Sequence, residues 1–456
     1  MRLEPDSQKR ILILGGGFAG ISVLQQLQKI FKNNKSVKIR LVNEDNFFLF
    51  TPMLPEIASG IIHPSDISIP LRTFCKNEKF YQAKVSAIDM KNKLVAITRA
   101  FDGKVKVLDY DYLVIALGST TNYFGNKRIE KNSFTMKTIQ DAIAIKSHMI
   151  HMMEIADQED DMAVQERLMT LVVVGGGFAG VETIGELNDF VKESARHFYR
   201  NIPQCNIKMV LVSAAKDGIL PELDPDIAKK ATESLQKAGI RIISNTKAVD
   251  AGDNFVFLGN GETIPCSTII WTAGVTIDSV VSGLDCEHTA GKVVVDSHLR
   301  IPKYENVFVL GDCAAITDTK TGNLYPPTAQ HALRESKIVS HNLKSAITGK
   351  NQDKEFNYES KGMMAVIGKR SGIASVFGCK ISGTVAWVIW KTYYLTMLPT
   401  FEKKCRVALD WTVNLFFKRD ITLVGKIKKK SLNEFNITTL DDVLFKDERQ
   451  VSEQKS

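Results

Sequence analysis

The sequence contains few cysteines, and no two of them form a closely spaced pair. The seven are Cys75, Cys205, Cys266, Cys286, Cys313, Cys379 and Cys405. Structural zinc sites, ferredoxin-type iron–sulfur clusters and dithiol redox centres need cysteines at short spacings such as CxxC or CxxxxC. Because the sequence lacks these short spacings, it excludes such centres, and we predict no metal site. Scattered free thiols are typical of a reducing compartment.

Long hydrophobic runs are also missing. No run of about 18 uncharged apolar residues occurs in the sequence, so we expect no membrane-spanning helix. The first ten residues are polar, and a strand-like run begins at Ile11, which leaves no room for the apolar core of a signal peptide. We therefore expect a protein that stays on the cytoplasmic side.

Charge and composition exclude further classes of protein. The chain has 59 basic and 51 acidic residues spread along most of its length, so we expect no nucleic-acid partner. Hydrophobic residues make up 44% of the chain and charged residues 24%, which excludes a mainly disordered or collagen-like protein. A chain of this length is expected to form several domains, at roughly 100–200 residues each.

The most informative feature is an internal repeat. The hexapeptide GGGFAG occupies residues 15–20 and again residues 175–180. Each copy follows four apolar residues and precedes a helical pattern of apolar residues, which predicts the strand, glycine turn and helix of a Rossmann unit. Two copies predict two dinucleotide sites, and hydride transfer from a nicotinamide to a flavin is the usual chemistry of such a pair.

Each glycine of the motif has its own structural reason. The first makes the tight turn, the second lets the backbone approach a pyrophosphate, and the third lets helix and strand pack closely. The helix N-terminus then presents free N–H groups and a partial positive charge to the phosphates. The predicted cofactor contacts are Gly15, Gly17, Phe18, Ala19 and Gly20 in the first unit and Gly175, Gly177, Phe178 and Gly180 in the second.

Further strand-like runs end in small residues and glycine, which lets the chain cross closely over a cofactor. They occupy residues 111–118, 268–274 and 304–314. In the last run, a carboxylate after glycine can bind a ribityl hydroxyl of a flavin. The predicted contacts in these runs are Ala116, Gly118, Gly311 and Asp312 for the flavin, and Ala273 and Gly274 for the nicotinamide dinucleotide.

An acidic residue at the end of the second strand of a Rossmann unit can bind the ribose of the adenosine half. In the first unit, the strand is followed by Asn43, Glu44 and Asp45. We predict that Glu44 binds this ribose, and Asp45 and Asn43 remain alternatives.

The set GGGFAG, ALG, GGGFAGVE, WTAGV and GDCA resembles the two-dinucleotide-binding flavoprotein reductases. Two more runs, FFLFTPMLPE at 47–56 and PPTAQHALRE at 326–335, make the chain similar to the type II NADH dehydrogenases, the single-chain, non-proton-pumping NADH:quinone oxidoreductases. The resemblance covers residues 9–423. It implies FAD in the first unit, NADH in the second, and a membrane quinone of the respiratory chain as electron acceptor. Sulfide:quinone oxidoreductases and disulfide reductases need redox cysteine pairs, which this sequence lacks.

The resemblance also implies roles for individual residues. It places Glu182 between nicotinamide and flavin, where it contacts the cofactor and takes part in catalysis as a proton relay. The alternative is a carboxylate that only balances the dipole of its helix. Thr51 and Pro52 resemble a segment near the flavin, and the alternative for them is a plain surface turn.

A second catalytic residue is implied at the quinone side. Ala329 and Gln330 match the start of the family motif AQxAxQ, which lies between flavin and quinone, and a neutral amide can orient a quinone carbonyl. The second glutamine of the motif is replaced by Arg334, which leaves the type of quinone open. We expect the neighbouring His331 to be structural.

The specificity for the nicotinamide dinucleotide depends on a substitution in the second unit. The family usually has glutamate where Ser213 stands, and that carboxylate accepts from the 2′-hydroxyl of NADH and repels the 2′-phosphate of NADPH. Because Lys216 is nearby and the carboxylate is missing, we expect NADPH to be accepted as well as NADH. The alternative is that the backbone or Asp217 holds the ribose.

The C-terminal part of the chain has a different character. Residues 381–430 carry ten basic and three acidic residues and three of the four tryptophans, and charges interrupt their apolar runs. This pattern predicts helices that lie in a membrane interface. The alternative is a pair of core helices or a homodimer interface.

These inferences combine into one predicted architecture. We predict an α/β fold of two Rossmann-like domains, the second inserted in the first, followed by an amphipathic helical membrane-docking module. The FAD-binding domain takes 9–125 and 283–379, the NAD(P)H-binding domain 126–282, the module 380–430 and a polar tail 431–456. We expect a peripheral enzyme at the cytoplasmic face of the cell membrane. The alternative is a soluble NAD(P)H-dependent flavoprotein reductase of an electron-carrier protein.

Overall fold

In the computed structural model, the described residues are 8–360 and 362–423, and residues 424–430 of the predicted module and the tail 431–456 lie outside them. The elements of the first part of the chain are β1 (Lys9–Leu14), α1 (Phe18–Ile30), β2 (Val37–Asn43), β3 (Phe47–Leu49), α2 (Leu54–Ala58), β4 (Ser68–Pro70), α3 (Leu71–Phe74), β5 (Lys79–Gln82), β6 (Lys84–Asp89), β7 (Leu94–Thr98), β8 (Val105–Asp109), β9 (Tyr112–Ile115) and β10 (Thr120–Thr121).

The elements of the middle part are α4 (Lys127–Asn132), β11 (Phe134–Thr135), α5 (Ile139–Ala156), α6 (Met162–Leu168), β12 (Thr170–Val174), α7 (Phe178–Phe198), β13 (Lys208–Val212), α8 (Pro225–Lys237), β14 (Ile240–Ile243), β15 (Ala248–Gly252), β16 (Phe255–Leu258), β17 (Thr263–Pro265), β18 (Thr268–Trp271) and β19 (Val275–Thr276). The remaining elements are α9 (Ser279–Ser282), β20 (His288–Thr289), β21 (Lys292–Val294), β22 (Arg300–Ile301), β23 (Tyr304–Val309), β24 (Ala314–Ala315), α10 (Ala329–Thr348), β25 (Gly362–Val366), β26 (Gly372–Val376), β27 (Cys379–Gly383), α11 (Thr384–Met397) and α12 (Phe401–Phe416).

Two largely parallel sheets form the centre of the molecule. The first has the order β22-β23-β9-β1-β2-β5, in which β22 is antiparallel to β23 and the other neighbours are parallel. The second has the order β11-β18-β12-β13-β14, with every pair parallel. The central strands β1 and β12 read as apolar runs because helices cover both faces of such sheets.

The second domain is inserted in the first. Strands β22 and β23 return to the first sheet after the chain has completed the second one. The two crossing segments pair as the antiparallel ribbon β10–β19, in which Thr120 lies opposite Thr276. The predicted fold of two Rossmann-like domains, one inserted in the other, is therefore confirmed.

A third unit follows at the C-terminus. Strands β25, β26 and β27 form their own antiparallel sheet, which packs against α11 and against α7 and α8 of the second domain. The boundary predicted at residue 380 falls within β27, so this sheet continues across it. Pro399 separates α11 from α12, because proline disfavours helical geometry in the residue before it. Across the described ranges, no helix has the length and apolar character that crossing a bilayer requires.

Candidate active site

The two glycine turns have the same geometry. Gly15 and Gly175 have φ angles of 106° and 129°, in a region that glycine adopts without strain. A Cβ on Gly20 would lie 1.9 Å from the carbonyl oxygen of Gly15, and a Cβ on Gly180 would lie 1.9 Å from that of Gly175. Turn and helix therefore pack backbone against backbone, and only glycine fits at these positions.

The second glycine of each motif faces open space. Gly17 and Gly177 are the N-caps of α1 and α7, and a Cβ on either would meet no protein atom within 4 Å. Neither helix receives a side-chain cap at this end, so its first N–H groups remain available to an anion. Both turns therefore fit the pyrophosphate of a dinucleotide.

The predicted flavin contacts converge on the first turn. A Cβ on Gly15 would lie 2.1 Å from the carbonyl oxygen of Ala116, so the end of β9 passes directly behind the turn. A Cβ on Gly311 would lie 3.4 Å from the Cβ of Ala19, which brings the Gly311–Asp312 turn to the start of α1. Gly118, like Gly311, has a positive φ and lies where the chain leaves the first sheet.

The candidates for the first ribose have different surroundings. The Oδ1 atom of Asn43 accepts from the backbone N–H of Gly16 at 2.7 Å, so Asn43 holds the glycine turn. Glu44 and Asp45 are both exposed beside it, and partial desolvation raises the pKa of Asp45. Glu44 stays the predicted ribose ligand, and Asp45 stays the alternative.

Ser213 occupies the corresponding position in the second domain, but its hydroxyl bonds within its own loop. Val42 lies opposite Leu14 and Val212 opposite Val174, so the strand registers make Ser213 the counterpart of Asn43. Its buried Oγ donates to the carbonyl oxygen of a glycine five residues on at 2.6 Å. The counterpart of Glu44 is therefore the next residue, the exposed Ala214.

The end of β18 completes the second turn. A Cβ on Gly175 would lie 2.4 Å from the Oγ1 atom of Thr272, so this strand end takes the place that Ala116 has in the first domain. The predicted contacts Ala273 and Gly274 follow directly. The carbonyl oxygen of Gly274 accepts from the backbone N–H of Asn122 at 3.0 Å, beside the β10–β19 ribbon.

Glu182 lies in the second turn of α7 and contacts the C-terminal unit. Its Oε1 atom accepts from the backbone N–H of Val366 at 3.2 Å and from the indole Nε1 of Trp390 at 3.2 Å. Desolvation of its carboxyl raises the pKa of Glu182 to about 8, although the residue as a whole is only half-buried. Such a carboxyl can hold a proton at neutral pH and release it on demand.

A continuous row of aromatic rings links the two glycine turns. The ring of Phe18 lies 5.0 Å from that of Phe48 and 5.5 Å from that of Phe50. Phe50 lies 5.9 Å from Tyr394, which lies 4.4 Å from Trp390, the residue that donates to Glu182. The two turns therefore face one another with the C-terminal unit beside them.

Two predicted flavin neighbours border this row. Thr51 and Pro52 begin a short 3-10 turn directly after Phe50, and Thr51 is exposed. Phe178, the aromatic residue of the second motif, is half-buried and packs against the main core.

The quinone-side candidates cluster at the start of α10. Gln330 follows Ala329 in the first turn of the helix, and its Nε2 donates to the hydroxyl of Tyr358. The guanidinium carbon of Arg334 lies 5.5 Å from the centre of the same Tyr358 ring. His331 is buried and bonded to the N-cap threonine of its own helix, as expected for a structural residue.

Sequence reasoning missed a buried ion pair between the first domain and the C-terminal unit. Glu56 and Lys391 are both buried and paired, and the Nε1 of Trp411 donates to Glu56 at 2.9 Å. The ammonium of Lys391 lies 4.1 Å from the centre of the Trp411 ring. Each charge stands in an otherwise apolar run, which was the available signal.

A second missed cluster continues along α7 from Glu182. Glu186, Asp189 and Glu193 follow at helical spacing, and the buried Arg419 lies 3.8 Å from Glu186 and 3.9 Å from Glu193. Burial raises the pKa of Glu186 to about 7, against the opposing effect of Arg419. A row of acidic groups therefore connects Glu182 with the surface.

Comparisons with known proteins agree with this geometry. Residues 9–336 match the family model described as pyridine nucleotide-disulphide oxidoreductase, and residues 360–420 match the NDH2 C-terminal domain. The chain is 33% identical to a probable NADH dehydrogenase of Dictyostelium discoideum, over 91% of each chain. It is 29% identical to the type II NADH:quinone oxidoreductase Ndh of Mycobacterium tuberculosis, over 91% of this chain and 90% of the relative.

Solved structures show the same fold. NDH2 from Plasmodium falciparum in complex with NADH matches with a TM-score of 0.84 and 19% identity, over 91% of this chain and all of that chain. The sulfide:quinone oxidoreductase from Aquifex aeolicus matches with a TM-score of 0.67 and 20% identity, over 90% and 96% of the two chains.

Proposed function

The chain belongs to the type II NADH:quinone oxidoreductases, and from this premise we propose that FAD is its flavin and that it meets its quinone at a membrane surface. The enzyme transfers electrons from NADH through a flavin to a quinone. When bound, the flavin accepts a hydride from NADH and passes two electrons to the quinone. The first glycine turn and its exposed Glu44 support an adenosine half, and therefore FAD rather than FMN.

The observation that carries this proposal is the link between the two glycine turns. The aromatic row runs from Phe18 at the first turn to Trp390, which donates to Glu182 beside the second turn. Two dinucleotides whose pyrophosphates lie at these turns would extend toward the aromatic row between them. The protein supplies proximity and orientation, which are large contributions to a two-substrate reaction.

The residues on either side of the aromatic row have different roles. The first glycine turn and Asp312 bind and orient the flavin, the second glycine turn binds NADH, and Glu182 holds a proton on the nicotinamide side. The amide of Gln330 is placed at a helix start where it can donate to a quinone carbonyl. The rings of Phe50 and Tyr394 exclude water from the space between them.

Anaerobic rapid mixing of the purified enzyme tests this function. The flavin released by denaturation is identified as FAD or FMN by chromatography. NADH is expected to bleach the oxidised-flavin absorbance, and a soluble quinone is expected to restore it. Release of FMN would contradict the FAD assignment, and bleaching without recovery would contradict quinone as acceptor.

Matched glycine variants assign the two turns. Gly17→Ala and Gly177→Ala add a Cβ where no protein atom lies within 4 Å, so neither change disturbs the packing of the chain. We expect Gly17→Ala to lose flavin, because its Cβ occupies the space of the pyrophosphate. We expect Gly177→Ala to keep flavin and to need at least about tenfold more NADH for half-maximal bleaching rate. Equal effects of both variants on both ligands would refute the assignment.

We also propose that the C-terminal unit docks on lipid at the cytoplasmic face of the membrane. Phe401, Phe416 and Phe417 are 81%, 79% and 68% exposed on and after α12, with the cationic Arg406 and Lys418 nearby. A patch of this kind marks a membrane or protein contact. The match to a dedicated C-terminal domain from residue 360 supports counting β25–β27 in this unit.

Sedimentation with anionic vesicles tests the docking. The double variant Phe416→Ser/Phe417→Ser is expected to bind vesicles at least about tenfold more weakly, because two aromatic side chains no longer enter the interface. Phe101→Ser is the control, since this fully exposed phenylalanine lies in the β7–β8 turn of the first domain. If the double variant dissociates a homodimer and leaves vesicle binding unchanged, the surface is a dimer interface instead.

We further propose that the enzyme accepts NADPH as well as NADH. Neither Ser213 nor Ala214 offers a carboxylate at the end of β13, and the exposed Lys216 follows in the same loop. Ala214→Glu places an acid at the counterpart of Glu44, so its kcat/KM for NADPH is expected to fall at least about tenfold relative to NADH. Ala214→Gln is the uncharged control. A wild-type enzyme that strongly prefers NADH would contradict the proposal.

A further inference from the structure

A hydrogen-bonded bridge connects the second domain with the flavin-binding turn of the first. The Nζ atom of Lys137 donates to the hydroxyl of Ser119 at 3.0 Å, and that hydroxyl donates to the Oδ2 atom of Asp312 at 2.6 Å. Lys137 precedes α5, Ser119 lies where the chain leaves the first sheet, and Asp312 lies where it has returned. Three distant segments therefore meet at one carboxylate.

The backbone around Lys137 is fixed independently of its side chain. Thr138 caps α5, and the carboxylate of Asp141 accepts from the backbone N–H groups of both Lys137 and Thr138. The half-buried ammonium of Lys137 forms no salt bridge with a carboxylate in the described part of the chain. Burial lowers the pKa of this ammonium, and the charge of Asp312 opposes the effect. The charge of Asp312 therefore offsets part of the cost of burying this ammonium, and the Ser119 hydroxyl lies between the two groups.

The Asp312 turn is held from its other side as well. The backbone N–H of Gly311 donates to the Oε2 atom of the buried Glu335 at 2.6 Å. Glu335 fixes the backbone of the turn, and the Ser119 hydroxyl occupies one oxygen of the Asp312 carboxylate. The Oδ1 atom of Asp312 can then accept from a ligand. Its direction is fixed because the Ser119 hydroxyl holds Oδ2 of the same carboxylate.

We propose that Lys137 is a positioning residue for the flavin, which through Ser119 orients the carboxylate of Asp312 toward the ribityl chain. The inference rests on the proposed binding of FAD in the first domain. The positive charge of Lys137 also favours a reduced flavin, which carries more negative charge than the oxidised form. Removal of the charge should therefore weaken flavin binding and lower the midpoint potential of the flavin.

The holoenzyme tests the bridge through flavin affinity and potential. Lys137→Met is expected to weaken flavin binding about tenfold and to lower the midpoint potential, because a hydrogen bond from a charged group is lost. Lys137→Arg, which keeps the charge, is expected to retain the wild-type potential. Lys131→Met is the control, since this lysine is exposed on α4 six residues earlier.

The outcomes separate this inference from the proposed function. If the wild type carries no FAD, the proposed function fails. If the wild type carries FAD and Lys137→Met leaves both affinity and potential unchanged, only the bridge is refuted. Should Lys137→Met not fold, Ser119→Ala removes the same bridge but keeps the charge of Lys137, and a wild-type flavin affinity in that variant would likewise refute the bridge.

Discussion

Replacing Glu182 with glutamine is expected to slow re-oxidation of the reduced enzyme by quinone about 100-fold. The glutamine carbonyl can still accept from Val366 and Trp390, so the packing of α7 against the C-terminal unit is preserved. What is lost is a carboxyl that exchanges a proton. Quinone reduction takes up two protons, whereas reduction of the flavin by NADH delivers its hydrogen directly, so the NADH step should change much less.

Stopped-flow measurement of the two half-reactions checks this expectation. Glu166→Gln is the matched control, because Glu166 lies in the same domain with its side chain half-exposed and only a 3.9 Å contact to a lysine. Equal slowing of both half-reactions in Glu182→Gln would show that Glu182 positions the cofactors and carries no proton.

The same substitution predicts a change in the pH dependence of stability. The pKa of Glu182 is raised from 4.5 to about 8 in the folded protein, so the folded state holds a proton that the unfolded state releases. Between these pH values the contribution of Glu182 to the unfolding free energy falls by about 1.4 kcal/mol per pH unit. The stability difference, wild type minus Glu182→Gln, should therefore decline from pH 5 to pH 8 in urea titrations. A constant difference would contradict the raised pKa.

Replacing Lys391 with methionine is expected to lower the free energy of unfolding by about 3–5 kcal/mol. The change leaves the buried carboxylate of Glu56 without its ionic partner, with only the indole N–H of Trp411 to stabilise it. It also removes an ammonium that contacts the ring of Trp411. The free energy of unfolding falls because the charge of Glu56 stays buried without a cation. Glu56→Gln added to Lys391→Met should therefore recover a large part of the lost stability.

An exposed ion pair provides the contrast for this measurement. Lys380 contacts Asp224 and Asp226 at 2.7 Å each, at the surface between β27 and α8. Lys380→Met should cost less than about 1 kcal/mol, because water screens exposed pairs. Urea unfolding measures the free energy of unfolding of both variants. Similar losses for Lys391→Met and Lys380→Met would refute the claim that burial makes the Glu56–Lys391 pair more costly to break.

The fold could be predicted from the sequence because the interactions that determine each strand, turn and helix act between residues close together in the chain. The GGGFAG turns need Gly15, Gly20, Gly175 and Gly180 for steric reasons that act within a few residues, so each motif fixes its own strand, turn and helix. The insertion of the second domain followed from the order of these motifs. The C-terminal helices were likewise predicted from alternating charge and apolar runs.

The contacts within the site could not be predicted in this way. Glu56 and Lys391 are separated by 335 positions, and the effect of each charge depends on the other. That Asn43 holds the glycine turn became visible only with the strand register and the hydrogen bond to Gly16, and Glu44 stays a prediction. Lys137 carries no sequence signal at all, since its partner reaches the same place through a different domain.

The short β10–β19 ribbon has a mechanical consequence. Because both crossings between the domains pair with one another, we expect any turning of the second domain to take place about this ribbon. The C-terminal unit spans the two domains, with Lys391 bound to Glu56 of the first domain and Arg419 to Glu186 on α7 of the second. These contacts hold the two domains together and so determine the distance between the flavin site and the NADH site. Since hydride transfer requires reacting atoms within about 3.5 Å, we expect a change at the exposed surface of α12, the proposed lipid contact, to alter the reaction rate from a distance.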